Sequence, residues 1–132
     1  IERVGYALNK AAKPVRGSKI LILGLAYKKD VDDSRESPSF ELMRMLLERG
    51  ASVQYNDPYI PAIPQKRDYP DLPKLQSIPL TEEMLHSMDC VLIATDHSDY
   101  DFEFICEHSR LIVDTRNASD HVVSGRDRIW KA

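Results

Sequence analysis

Apolar positions along this chain fall into short blocks, separated by polar breaks marked with proline or glycine. Residues 2–13 (ERVGYALNKAAK) read as the end of a helix that stops before Pro14. Residues 19–23 (KILIL) form a short continuous apolar run, which predicts a central strand covered on both faces. Ser37-Pro38 is a helix start: a serine cap followed by proline at the first helical position. Phe40, Leu42, Met43, Leu46 and Leu47 make the apolar stripe of that helix, and Gly50 is its stop. Residues 51–55 (ASVQY) predict a second strand, ended by Asn56-Asp57-Pro58. The stretch 58–80 holds six of the eight prolines and predicts an irregular crossing. Thr81 then caps a short helix (TEEMLHSM), with Glu83 near its first turn to favour the helix dipole. Residues 89–95 (DCVLIAT) predict a third buried strand, 101–108 a further short helix and 111–113 a fourth strand. Val122-Val123 and residues 128–130 are the material for one more edge strand.

Strands and helices alternate, and the strands read as covered runs. This pattern predicts α/β architecture: a single domain with a doubly wound, mainly parallel, Rossmann-like sheet and right-handed crossovers. Ligands of such sheets bind beyond the carboxyl ends of the strands. Three polar loops are expected on that edge: 24–36, 95–100 and 114–119. The first is out of proportion. Residues 24–37 (GLAYKKDVDDSRES) stand where a loop of about two to six residues is ordinary. Half of them are charged: Lys28, Lys29, Asp30, Asp32, Asp33, Arg35 and Glu36.

Composition changes this picture little. The chain has 132 residues, 42% apolar and 30% charged, which suits one domain with a real core. A net charge of −3 gives no basis for a nucleic-acid partner, and no apolar run reaches membrane-spanning length. Cys90 and Cys106 fall in apolar stretches without metal-ligand spacing, as expected of reduced core residues in a cytoplasmic protein. The chain opens on Ile1 rather than methionine and reads as a piece of something longer.

The glycine after the first strand raises a dinucleotide reading, which the sequence does not support. The G-x-G-x-x-G pattern fails, because position 26 is alanine and position 29 is lysine. The acidic residue expected about 20 residues on has its nearest candidate in Asp57, 33 positions after Gly24. A P-loop is absent as well. Asp30, Asp32 and Asp33 offer hard oxygen ligands for Mg²⁺, but the interleaved Lys28, Lys29 and Arg35 act as internal counter-ions, so no metal is assigned. His86, His97, His108 and His121 lack ligand spacing and suit surface or capping roles. The cations are more informative. Lys28 and Arg35 on one loop and Arg116 on another are placed to converge on an anionic ligand. The alternative is that Arg116 pairs with Asp114 or Asp96.

Four ordered stretches carry a resemblance: G-L-A-Y-K-K-D-V-D-D-S-R-E-S-P-S, then N-D-P-Y-I-P, V-L-I-A-T-D-H and I-V-D-T-R-N, each at the end of a predicted strand. Together they resemble the C-terminal, nucleotide-sugar-binding domain of the UDP-glucose/GDP-mannose dehydrogenase family. Their wording looks most like the branch acting on UDP-N-acetylhexosamines. The resemblance covers residues 15–120. It implies a domain over 15–132, with 1–14 as the end of a central dimerisation helix and linker. Members oxidise the sugar C6 hydroxyl to a carboxylate with NAD, bound mainly by an N-terminal domain. The catalytic cysteine, lysine and asparagine of the family precede this domain, so no catalytic residue is assigned here, and the chain alone is expected to be inactive. By resemblance, Tyr27, Lys28 and Arg116 contact the UDP-sugar, and Arg35 reaches toward NAD across a cleft. The acidic residues of the long loop then hold it and orient its cations. Implied partners are the UDP-sugar, the NAD-binding and central domains of the same enzyme, and further copies in a homo-oligomer. The rival readings are a free-standing nucleotide-binding or regulatory α/β domain, and a structural domain whose loop makes only inter-domain salt bridges.

Overall fold

The computed structural model describes residues 2–10, 13–26, 28–30, 37–63, 69 and 72–131. Chain order is α1 (Glu2–Lys10), β1 (Lys19–Leu23), α2 (Pro38–Glu48), β2 (Ser52–Asn56), α3 (Glu82–Ser87), β3 (Cys90–Ile93), α4 (Phe102–His108), β4 (Ile112–Asp114) and β5 (Ile129–Lys131). A single 3-10 turn at Arg126–Arg128 leads into β5. The five strands form one sheet in the order β2-β1-β3-β4-β5, and every neighbouring pair is parallel. The expected doubly wound α/β sheet is therefore present. The chain winds from β1 outward to β2, then crosses to β3 on the other side of β1. The switch point of this order lies between β1 and β3, the usual location of a ligand.

Alternate residues of each strand feed opposite layers, which is why the strands read as unbroken apolar runs. Ile20 and Ile22 join Val53, Tyr55, Cys90, Leu92 and Val113 under α1 and α2. Leu21 and Leu23 join Val91, Ile93 and Ile112 under α3 and α4. Val4, Ala7 and Leu8 of α1 are buried in the first of these layers.

The helix signals act as expected. The Ser37 hydroxyl accepts the Ser39 N–H at 3.2 Å with Pro38 in the first turn, and Thr81 accepts the Met84 N–H at 3.0 Å. Gly50 ends α2 at φ +87°, a left-handed conformation that favours glycine. The Gly50 N–H reaches Leu47 O at 3.0 Å and the Ala51 N–H reaches Leu46 O at 3.1 Å, the paired bonds of a Schellman stop. In the proline-rich crossing, Ala62 and Gln76 form an isolated antiparallel bridge.

One expectation needs correction at the far edge. The fifth strand is Ile129–Lys131 alone. Val123 is 81% exposed, and its N–H is taken by the Glu103 carboxylate of α4 rather than by a strand. Val122 is buried in the second layer, so this segment packs beneath α4 instead of extending the sheet.

The register decides where the site can be. Leu23 aligns with Asn56 and with Ile93, Ile93 with Asp114, and Asp114 with Lys131. All strands thus end in one row, and the loops that follow them leave from a common edge.

Candidate functional site

The loop after β1 starts with a close approach. Gly24 has φ +96°, and a Cβ there would stand 2.3 Å from the Thr95 Cβ. The Thr95 N–H donates to Leu23 O at 3.0 Å, and its hydroxyl donates to Ala26 O at 3.1 Å. The glycine therefore lets two loops pack backbone to side chain. Space that a dinucleotide cradle would leave open to a pyrophosphate is filled by Thr95, so this turn does not fit that role.

Asp57 is the first residue beyond β2 and is buried. Its Oδ2 accepts the N–H groups of Leu25 at 2.7 Å and Ala26 at 2.9 Å, while Oδ1 accepts the Tyr59 N–H at 2.8 Å. The same Oδ2 lies 2.9 Å from His97 Nε2. On the other side of the ring, Nδ1 accepts the Asp30 N–H at 2.7 Å. Nδ1 must then be unprotonated and Nε2 must carry the proton that goes to Asp57. The 3.9 Å separation of Nδ1 from the Asp30 carboxylate is for the same reason no ion pair.

His97 is 0% exposed, which corrects the surface or capping role expected for it. Its ring packs between Tyr59 and Tyr100, with centroids 4.8 and 5.7 Å away. Tyr100 donates its hydroxyl to Asn56 O at 2.8 Å, and burial pushes that phenol well above its ordinary range. Asp30 sits at φ +62°, unusual for a residue with a side chain. Its carboxylate accepts the Ser98 hydroxyl at 2.5 Å and the Ser98 N–H at 2.6 Å, and these bonds lower its pKa. The loops after β1 and β3 are thus tied together at the switch point.

The loop after β4 is organised by Asp114, which is buried. It accepts from the Ser119 hydroxyl at 2.6 Å and from the N–H groups of Ser119, Arg116 and Ala118. Burial works against its charge, but these donors outweigh burial and lower its pKa. The two suggested uses of Arg116 separate here. Its backbone N–H caps Asp114 at 2.9 Å, while its side-chain Nε donates to Ala94 O at 2.9 Å. The guanidinium is anchored at the end of β3 and exposed, and its terminal nitrogens have no partner among the described residues. Lys28 is also exposed, with no hydrogen bond or ion pair among the described residues. Lys28 follows β1 and Arg116 follows β4, with β3 between them, so the parent strands are about 10 Å apart. Tyr27 and Arg35 lie outside the described residues, as do Asp32 and Asp33.

Burial raises the Cys90 thiol to about 12 and the Cys106 thiol to about 11. They occupy opposite layers of the core and are unsuited to nucleophilic work. A surface hollow lined by Thr81, Glu82, Glu83, His86, Ser87 and Arg110 lies beside α3 and the approach to β4, away from these loops. No helix among the described residues is long and apolar enough to cross a membrane.

Residues 21–121 match the model of the UDP-glucose/GDP-mannose dehydrogenase family, UDP binding domain. A UDP-N-acetyl-D-mannosamine dehydrogenase of Methanococcus maripaludis is 32% identical, over 94% of this chain and 26% of that protein. A UDP-glucose 6-dehydrogenase of Rickettsia typhi is 31% identical, over 83% of this chain and 26% of that protein. Among solved structures, a UDP-D-ManNAc dehydrogenase from Pyrococcus horikoshii superposes with TM-score 0.75 at 25% identity, over 98% of this chain and 29% of that one. An NDP-N-acetyl-D-galactosaminuronic acid dehydrogenase from Methanosarcina mazei gives 0.74 at 26% identity, over 99% and 27%. The chain spans about a quarter of the length of the relatives it matches.

Proposed function

The chain belongs to the UDP-glucose/GDP-mannose dehydrogenase family as its UDP binding domain, and on that premise we propose that it supplies the nucleotide-sugar site of an NAD-dependent UDP-sugar 6-dehydrogenase. The observation that carries the reading is the pair of exposed cations on one sheet edge, Lys28 after β1 and Arg116 after β4, the first and the terminal nitrogens of the second having no partner among the described residues. A UDP-sugar presents a diphosphate and a flat uracil to such an edge. Lys28 offers a point charge, and Arg116 offers a fork pre-positioned by its bond to Ala94. The family resemblance assigns Tyr27 as a further contact to the UDP-sugar and Arg35 as a contact to NAD.

The filled turn at Gly24 supports NAD binding chiefly elsewhere in the polypeptide. The short span relative to the relatives supports the same division of labour. Residues 15–132 bind the nucleotide sugar, 1–14 end a central helical segment, and the oxidation belongs to other parts of a homo-oligomeric cytoplasmic enzyme. The substrate class is a UDP-N-acetylhexosamine, in keeping with the wording of the loops after β1 and β2.

Calorimetric titration tests the site. UDP and UDP-N-acetylmannosamine bind the parent. Lys28→Ala and Arg116→Ala each weaken binding by about 1.5–3 kcal/mol, roughly ten- to a hundred-fold in Kd. Equal affinity in parent and folded variants removes the site. In the intact dehydrogenase, Arg35→Ala weakens NAD more than the UDP-sugar.

A further inference from the structure

We propose that His97 is a positioning residue for UDP binding, acting as a neutral, single-tautomer strut that holds the Lys28 loop in its competent place. The role rests on the nucleotide-sugar reading above and adds to it a residue that touches no ligand.

The geometry is specific. Asp57 fixes the beginning of the segment through the Leu25 and Ala26 N–H groups. His97 fixes its far end through the Asp30 N–H. Lys28 lies between these two anchors. The anchors are joined by the 2.9 Å contact of His97 Nε2 with Asp57. Asp30 needs such a hold, because its left-handed φ of +62° is unfavourable for a non-glycine residue. Its carboxylate is held by Ser98, and its N–H donates to the ring.

Only an unprotonated Nδ1 can accept that N–H, and the Asp57 carboxylate opposite Nε2 selects this tautomer. The tyrosine rings on either side, Tyr59 and Tyr100, flank the imidazole, which is fully buried. A core histidine kept only for packing has no need of an acceptor aimed at the loop that carries Lys28.

Two isosteric variants separate the two nitrogens. His97→Asn places a side-chain oxygen where Nδ1 is and keeps the acceptor for Asp30. His97→Gln places an amide where Nε2 is, keeping the donor to Asp57 but losing the Asp30 bond. A loop in its competent place a tenth of the time lowers apparent affinity about tenfold. Calorimetry with UDP therefore gives about tenfold weaker binding for His97→Gln, with most of the affinity recovered in His97→Asn. A through-hydrogen-bond nitrogen–nitrogen coupling between the Asp30 amide and His97 Nδ1, measured by NMR on the parent, needs no variant and is expected to be present. Its absence overturns the proposal, as does a parent that binds UDP while both folded variants bind it equally well or equally badly. A parent that fails to bind UDP at all overturns the function reading, and the positioning role falls with it.

Discussion

Asp57 and His97, 40 residues apart in sequence, are both fully enclosed and meet at 2.9 Å beneath the edge where β1, β2 and β3 end. One carboxylate oxygen there serves three donors, from the loop after β1 and the loop after β3. Replacing Asp57 with asparagine puts an NH₂ group against N–H groups on one side or the other. Asp57→Asn is expected to lower unfolding stability by about 3 kcal/mol, since a buried donor left unpaired costs about 1–3 kcal/mol. Urea unfolding with coincident midpoints for variant and parent would show that the network is not holding the loops.

The cap of α2 is a second, separate stabiliser. Ser37 is buried, and its hydroxyl serves the Ser39 N–H. Ser37→Ala is expected to cost about 1 kcal/mol. A variant whose denaturation midpoint equals the parent's would remove the capping role.

Acid sensitivity has a defined sign. The folded pKa of Asp114 lies below its ordinary value, because the Ser119, Arg116 and Ala118 donors outweigh burial. The unfolded chain then binds more protons than the fold. The stabilisation is present above the ordinary carboxylate value of about 3.9 and is lost as pH falls through the lower folded value. Asp30 and Glu103 are lowered for like reasons and add in the same direction. Stability measured against pH should fall below about pH 4 in the parent. Asp114→Asn should be less stable at neutral pH and show a shallower acid limb. Parallel acid limbs would mean that Asp114 titrates alike in both states.

The thiols give a further check on the core. Both cysteines are buried, with pKa values raised to about 12 for Cys90 and about 11 for Cys106. An aromatic disulfide reagent at pH 8 should leave both unreacted in the folded chain and label both in urea. Rapid labelling of either thiol in the folded state would contradict its placement.

Elements whose causes are local are legible in the amino-acid sequence. KILIL and DCVLIAT read as covered strands, the second of them trimmed to Cys90–Ile93 in the fold, Ser37 and Thr81 as caps, and Gly50 as a stop, because these signals act within a few residues along the chain. The charged loop could also be located, since any polar loop after a covered parallel strand leaves from the carboxyl edge. Which polar residues go inside is set by packing in three dimensions. His97 reads as a surface or capping residue because nothing near it in sequence explains its burial. Its partners, Asp57 and Asp30, lie 40 and 67 residues away. They meet only because the strand order sets β1 between β2 and β3 with their ends in one row. Val122-Val123 reads as strand material for the same reason: whether a short apolar pair joins a sheet or packs under a helix depends on the partner offered. Here Glu103 of α4 takes the Val123 N–H before any strand can. Periodicity and capping are encoded by neighbours in sequence. A buried hydrogen-bond network is encoded by neighbours in space, and those exist only once the sheet has formed.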